Sequence, residues 1–134
     1  MRGAVVACDL CELWPDLAWI IRTDRFTLMV EPDVVIADFK QDEEWGLCNQ
    51  CKLDVMTDDQ NAIMARRRLA HERDTPDFWS QSNAERGLAY QVLDMIVMTV
   101  LSSRQKAWGR AWTPQDTRQA QATVKRDGRR GKRP

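Results

Sequence analysis

Histidine is almost missing from this chain. His71 is the only one in 134 residues, and one imidazole excludes the arrangements that need two. Paired-histidine metalloproteases and treble-clef nucleases are out. So is the His-x-Glu element of the zinc deaminases, since Ala70-His71-Glu72-Arg73 has no second partner at metal spacing. No activated nucleophile stands near it either, so His71 reads as a surface or helix-packing residue. Glycine is also sparse, at 6 residues, and none falls in a G-x-G-x-x-G or P-loop spacing, which removes the common phosphate cradles. Long apolar runs are lacking. The longest, 95–101, is interrupted by Thr99 and falls far short of the ~20 residues that span a bilayer. The opening residues 1–7 are stopped by Cys8 and Asp9 before they could form the apolar core of a secretion signal. The expectation is a cytoplasmic chain without a membrane partner.

Cysteine is present only as two Cys-x-x-Cys knuckles, Cys8 with Cys11 and Cys48 with Cys51. Two thiolates at this spacing grip one tetrahedral ion, and two such grips close a four-cysteine site. The segment between the knuckles is longer than in a zinc ribbon, so it must fold back on itself. Two disulfides, redox pairs and four unrelated core thiols are the competing readings. Disulfides need an oxidising compartment, and a thioredoxin-like site uses one such motif rather than two. A structural Zn2+ is therefore the expected cofactor, with an iron–sulfur cluster as the other user of four thiolates.

Charged residues make up 30% and hydrophobic residues 43%, which suits one globular domain with an appendage. The net charge of zero conceals a polarity. Residues 1–60 hold 5 basic and 13 acidic side chains, a net of −8, and residues 61–134 hold 15 and 7, a net of +8. Such asymmetry points to a partner rather than to a fold.

Residues 4–7 read as a strand into the first knuckle. Three further strands are expected over 17–23, from Phe26 with Leu28 and Val30 on one face, and over 34–39. Residues 41–44 form an acidic loop, and Trp45-Gly46-Leu47 leads to the second knuckle, which opens a helix. That order is treble-clef-like, with a zinc ribbon as the alternative. A second helix is expected from a capping box at Thr57 and Gln60 to about 72. The main helix starts at the capping box of Ser82 and Glu85 and runs to about 108. Thr113 and Pro114 begin a last helix, to about 125. The fold class is thus α+β: a zinc-knuckle β-meander over 1–56, a helical hairpin over 57–112, and a polar helix with a basic arm over 113–134.

Two groups of residues are candidates for binding. Arg66, Arg67 and Arg68 cover much of one helix, as a solvated or a phosphate-contacting face. Lys125, Arg126, Arg129, Arg130, Lys132 and Arg133, against one acid, make an arm with no means of burying itself. Trp108 and Trp112, with Arg110 between them, would share a helix face if the helix persists, and are candidate anchors at an interface. Trp14, Trp19 and Trp45 are expected to cover the metal, and Trp79 to staple a helix start. The apolar girth of the main helix, from Leu88 through Leu101, suits either a core position or an oligomer contact. Asp9 and Glu12 read as solvated acids rather than catalytic ones.

The pattern Cys8-Asp9-Leu10-Cys11, then Trp19, then Trp45-Gly46-Leu47-Cys48-Asn49-Gln50-Cys51 resembles small uncharacterised proteins of actinobacteria and their bacteriophages. The resemblance covers about the first 60 residues and departs in the longer insert and after residue 75. It implies zinc and a phage or actinobacterial setting, and carries no activity over. Together these features predict a non-enzymatic binding protein. It would be nucleic-acid-associated or transcription-related, or else a protein-interaction or virion assembly component. The arm would meet nucleic acid or an acidic protein surface, and a homo-oligomer or larger assembly is compatible with the main helix.

Overall fold

The long segment between the knuckles is one out-and-back β ribbon. The computed structural model describes residues 6–31 and 34–129. β1 (Leu17–Thr23) and β2 (Phe26–Glu31) lead outward, and β3 (Val34–Phe39) and β4 (Glu43–Cys48) return. β1 pairs antiparallel with β4, from Leu17 opposite Cys48 to Thr23 opposite Glu43. Beyond a break, β2 pairs with β3, from Phe26 opposite Phe39 to Glu31 opposite Val34. The ribbon therefore has a basal and a distal section, and both knuckles stand at its foot.

Aromatic side chains fill the break between the sections. Phe26 and Phe39 lie 4.8 Å apart by ring centroid, and Trp45 lies 6.1 and 5.4 Å from them. The Trp45 indole donates to the buried Thr23 hydroxyl at 2.9 Å, which gives that hydroxyl the partner its burial demands. The distal section leaves Val34, Val35 and Ile36 exposed. The apolar character expected of this strand is present, but it faces water.

Four helices follow. α1 (Asn49–Met56) begins inside the second knuckle, with Cys48 as its N-cap. α2 (Gln60–Asp74) is capped by Asp59, whose carboxylate accepts from the Ala62 N–H. Thr57 is not its cap, contrary to expectation: that hydroxyl donates back to the Leu53 carbonyl at 3.0 Å and closes α1 instead. α3 (Asn83–Ser102) has the full capping box of Ser82 and Glu85. It stops well before Trp108, because the chain turns at Ser103 and forms β5 (Arg110–Ala111) on the free edge of β1. The basal sheet thus has the order β4-β1-β5. α4 (Pro114–Arg129) starts where expected and continues past Lys125. Thr113 and Asp116 form its capping pair, each side chain accepting the other's backbone N–H.

Val6 and Ala7 approach the first knuckle as irregular chain, so the strand expected over 4–7 is not found there; residues 4 and 5 lie outside the described residues. The acidic loop is shorter than expected, since β4 begins at Glu43. α2 and α3 pack as the expected helical hairpin, with Phe78 fully buried in their connection between His71 and Tyr90. Phe78 does the stapling expected of Trp79, which is 70% exposed. α3 buries one stripe, Leu93, Val97 and Val100, and leaves Leu88 and Met98 exposed. A single cluster joins the four cysteines to Ile21 and Leu47 of the sheet and to Ile63, Val97 and Val100 of the hairpin. The chain is therefore an α+β fold in which β-sheets surround a four-cysteine cluster and helices pack on it.

Candidate metal centre

Local backbone geometry aims the four sulfurs at one point. In the first knuckle the Cys11 N–H donates to Cys8 Sγ at 3.5 Å and the Leu13 N–H to Cys11 Sγ at 3.5 Å. The turn closes with Glu12 in the left-handed region, at φ 53°, and its N–H on the Cys8 carbonyl at 2.9 Å. Asp9 fastens this turn to the sheet: its N–H donates to the Gly46 carbonyl at 2.8 Å and its carboxylate accepts from the Gly46 N–H at 2.7 Å. In the second knuckle Cys48 ends β4, and its sulfur accepts from the Cys51 N–H at 3.4 Å. The free N–H groups and dipole at the start of α1 favour thiolate there.

All four cysteines are at most 2% exposed, and their sulfurs lie within 4.8 Å of one another. Cys11 Sγ and Cys48 Sγ are 3.8 Å apart. A tetrahedral thiolate centre with bonds of about 2.3 Å has edges of about 3.8 Å, whereas a disulfide closes to about 2.05 Å. The thiols are free. The four thiols also act strongly on one another. Hydrogen bonds from Cys48, Cys51 and Cys8 hold the Cys11 thiol far below its ordinary range. The same crowding, with Cys11 as the largest influence, pushes Cys8 and Cys51 far above theirs. Four adjacent buried thiolates repel one another, and a bound metal ion removes that conflict. The residues present fit a metal ion, and all four positions of a tetrahedral shell are filled by protein.

A second layer surrounds Cys51. Arg66, from α2, donates to Cys51 Sγ at 3.1 Å and approaches the Asp54 carboxylate at 2.6 Å. Burial alone would lower the Arg66 guanidinium, but the Cys51 sulfur and the Asp54 carboxylate outweigh it and hold it above the usual arginine range. Asp54, one turn after Cys51, is itself buried and accepts from the Gln50 amide at 3.4 Å.

The other candidate residues occupy several places. Arg67 pairs with Glu12 of the first knuckle at 3.0 Å. Arg68 pairs with Asp94 of α3 and lies over the Tyr90 ring. All three guanidinium groups of the triple thus face partners within the chain. Successive helix positions point about 100° apart, so three adjacent arginines do not share a face. Arg110 makes two bonds to Asp116, at 2.9 and 3.0 Å.

Trp108 and Trp112 do not lie on one helix, because α3 ends before them. Trp108 lies under the Arg22 guanidinium. Trp112 packs onto Gly46, where a Cβ would meet its ring at 2.7 Å. Trp19 packs on Gly109 in the same way, with Lys52 over its ring. Trp19 and Trp45 pack against the buried cluster that contains the four cysteines, whereas Trp14 is 50% exposed. Lys125, Arg126 and Arg129 belong to the last turns of α4 by backbone. Arg130, Lys132 and Arg133 lie outside the described residues.

Comparison with protein families, curated proteins and solved structures finds no match. The resemblance drawn from the knuckles is therefore carried by those residues alone. Among the described residues, no helix is long and apolar enough to cross a membrane.

Proposed function

We propose that this chain is a non-catalytic binding protein, built on a structural Zn2+ and presenting a basic C-terminal segment to nucleic-acid phosphate. The observation that carries the first half is the closed set of four buried cysteines. A catalytic zinc keeps a position for water or substrate, and this donor set leaves none. Zinc accords with four thiolates and tetrahedral spacing. The first knuckle on a turn, the ribbon, and the second knuckle opening α1 support the treble-clef reading over a zinc ribbon. A cleft of about 920 Å3 lies along α3; of the three aspartates that line it, Asp54 and Asp94 face Arg66 and Arg68, and Asp58 by itself makes no carboxylate pair for acid–base work.

The second half rests on where the positive charge lies. Residues 1–116 carry 13 basic and 19 acidic side chains, a net of −6; residues 117–134 carry 7 and 1, a net of +6. The body is acidic and would repel a phosphate backbone, whereas the C-terminal segment would attract it. Its affinity should fall steeply with salt, by a slope of about −0.7 to −0.9 per phosphate neutralised. Removal of 125–134 should leave zinc content unchanged and flatten that slope on every sequence tested, since phosphate contacts carry no base information.

The second reading, docking to protein, is favoured by Val34, Val35 and Ile36, exposed on the distal ribbon. An edge strand of this kind can receive another strand. Titration of full-length and truncated protein against DNA, RNA and unrelated polyanions separates the two. Binding that is salt-independent and identical in both forms overturns the nucleic-acid reading. Copurification of a partner that survives nuclease supports the protein one.

A further inference from the structure

Arg66 is the only described cation that donates to a ligand sulfur, and its setting is built rather than incidental. Its side chain is 13% exposed, and that of Asp54 is 8%. The Arg66 Nη2 group reaches Cys51 Sγ at 3.1 Å and Asp54 Oδ2 at 2.6 Å. The Asp54 contact is an ion pair without hydrogen-bond alignment, so Asp54 Oδ2 and Arg66 Nε stay without hydrogen-bond partners. Two buried polar groups carry that cost only where something else fixes them. Cys51 and Asp54 are three apart on α1 and so lie on one face, and α2 brings Arg66 onto that face.

The charge of the centre gives this arrangement a purpose. Four thiolates around a divalent ion carry two net negative charges in a pocket that excludes water. A buried anion of this kind is costly unless a fixed cation stands beside it. We propose that Arg66 is the built-in counter-cation of the metal centre, positioned by Asp54, and that it sets how firmly the centre holds its ion. The inference rests on the zinc reading above. Arg66 is a positioning and charge-balancing residue, not a ligand. A cation beside the loaded centre offsets its two net negative charges and so favours loading. The directed N–H···S bond adds to this, as second-layer donors do at other metal sites.

The test uses the full chain and titrates Co2+, whose visible bands report a tetrahedral thiolate site, followed by displacement with Zn2+ against a competing chelator. Arg66→Met should weaken Zn2+ binding by about tenfold or more, the range that loss of a second-layer partner causes. Arg66→Lys should recover most of the loss. Asp54→Asn distinguishes positioning from simple charge. If Asp54 holds Arg66 in place, the variant binds more weakly; if Asp54 acts only as a nearby negative charge, its removal tightens binding, which overturns its assigned role. At saturating metal, helical circular dichroism equal to that of the parent shows that each variant folds. Arg66→Met with parental affinity and an intact fold overturns the proposal. A parent chain that binds no metal overturns the zinc reading instead, so the two failures are separate. If Arg66→Met does not fold even with metal, Arg66→Lys decides: parental affinity supports the proposal, and a loss equal to that of Asp54→Asn overturns the claim that charge is what matters.

Discussion

At the scale of single residues, Gly46 shows how a position in β4 is governed by a distant one. Glycine weakens a strand interior, and alanine there is ordinarily favoured by about 0.5–1 kcal/mol. At Gly46 the sign reverses. A Cβ would lie 2.7 Å from Trp112 Cζ3 and 3.1 Å from Leu17 Cδ1. The Trp112 ring cannot swing away freely, because its indole N–H donates to the Thr117 hydroxyl at 2.8 Å. Gly46→Ala should therefore destabilise the chain by about 1–3 kcal/mol, the usual cost of overpacking, read as a lower denaturant midpoint. A midpoint at or above that of the parent would mean that Trp112 does not pack here. Sequence alone placed Gly46 beside the second knuckle but had no means of bringing Trp112 to it, 66 residues later.

Among the elements, α4 shows a polar helix held by its first turn. Thr117, Ala120 and Gln121 give it little apolar surface against the body, and Trp112, Thr113, Asp116 and Arg110 anchor its first turn. The Arg110 guanidinium, with lesser help from Thr113, holds the Asp116 carboxyl far below the usual carboxylate range. A depressed folded-state value means that the ionised form stabilises the folded chain. That contribution is present above the unfolded value of about 3.9 and is lost as pH falls through the folded one. As pH falls below about 4 toward the depressed folded value, the indole N–H resonance of Trp112 should move toward its value in a chain lacking the Thr117 bond. Asp116→Asn should show that displaced resonance already at pH 7 and respond less to acid. A Trp112 resonance in Asp116→Asn identical to that of the parent at pH 7 would show that the cap does not hold the helix.

Across the whole molecule, the single core decides how metal and fold are linked. The boundary at residue 56, drawn from sequence, separates a knuckle unit from a helical unit. Cys51 nevertheless shares one buried cluster with Ile63, Val97 and Val100, and β5 returns the chain to the edge of β1. Structural metal binding contributes directly to folding free energy, and through a shared core that contribution extends to α2 and α3. Removal of metal by a strong chelator at neutral pH should abolish the helical signal and shift tryptophan emission in one coincident transition. Persistence of the α2–α3 signal after the emission has shifted would establish two independent units.

The local features were legible because each depends on a few neighbouring residues. The two knuckles needed only their i, i+3 cysteines. Ser82 with Glu85 and Thr113 with Pro114 announced two helix starts, and β1 and β3 followed from β-branched and aromatic runs. The long spacer had to fold back, and it does so as a ribbon. The partners of these elements depended on contacts distant in sequence. Thr57 and Asp59 are both good caps, and the hydroxyl's bond to the Leu53 carbonyl left the role to Asp59. The helix pattern around Trp108 was overridden when Gln105 donated to the Arg22 carbonyl and drew the chain back to the sheet. Arg66, Arg67 and Arg68 are chemically alike in the sequence. Only the packing of α2 against α1, the first knuckle and α3 assigned one to a sulfur, one to Glu12 and one to Asp94, because an arginine's role is set by the anion within its reach.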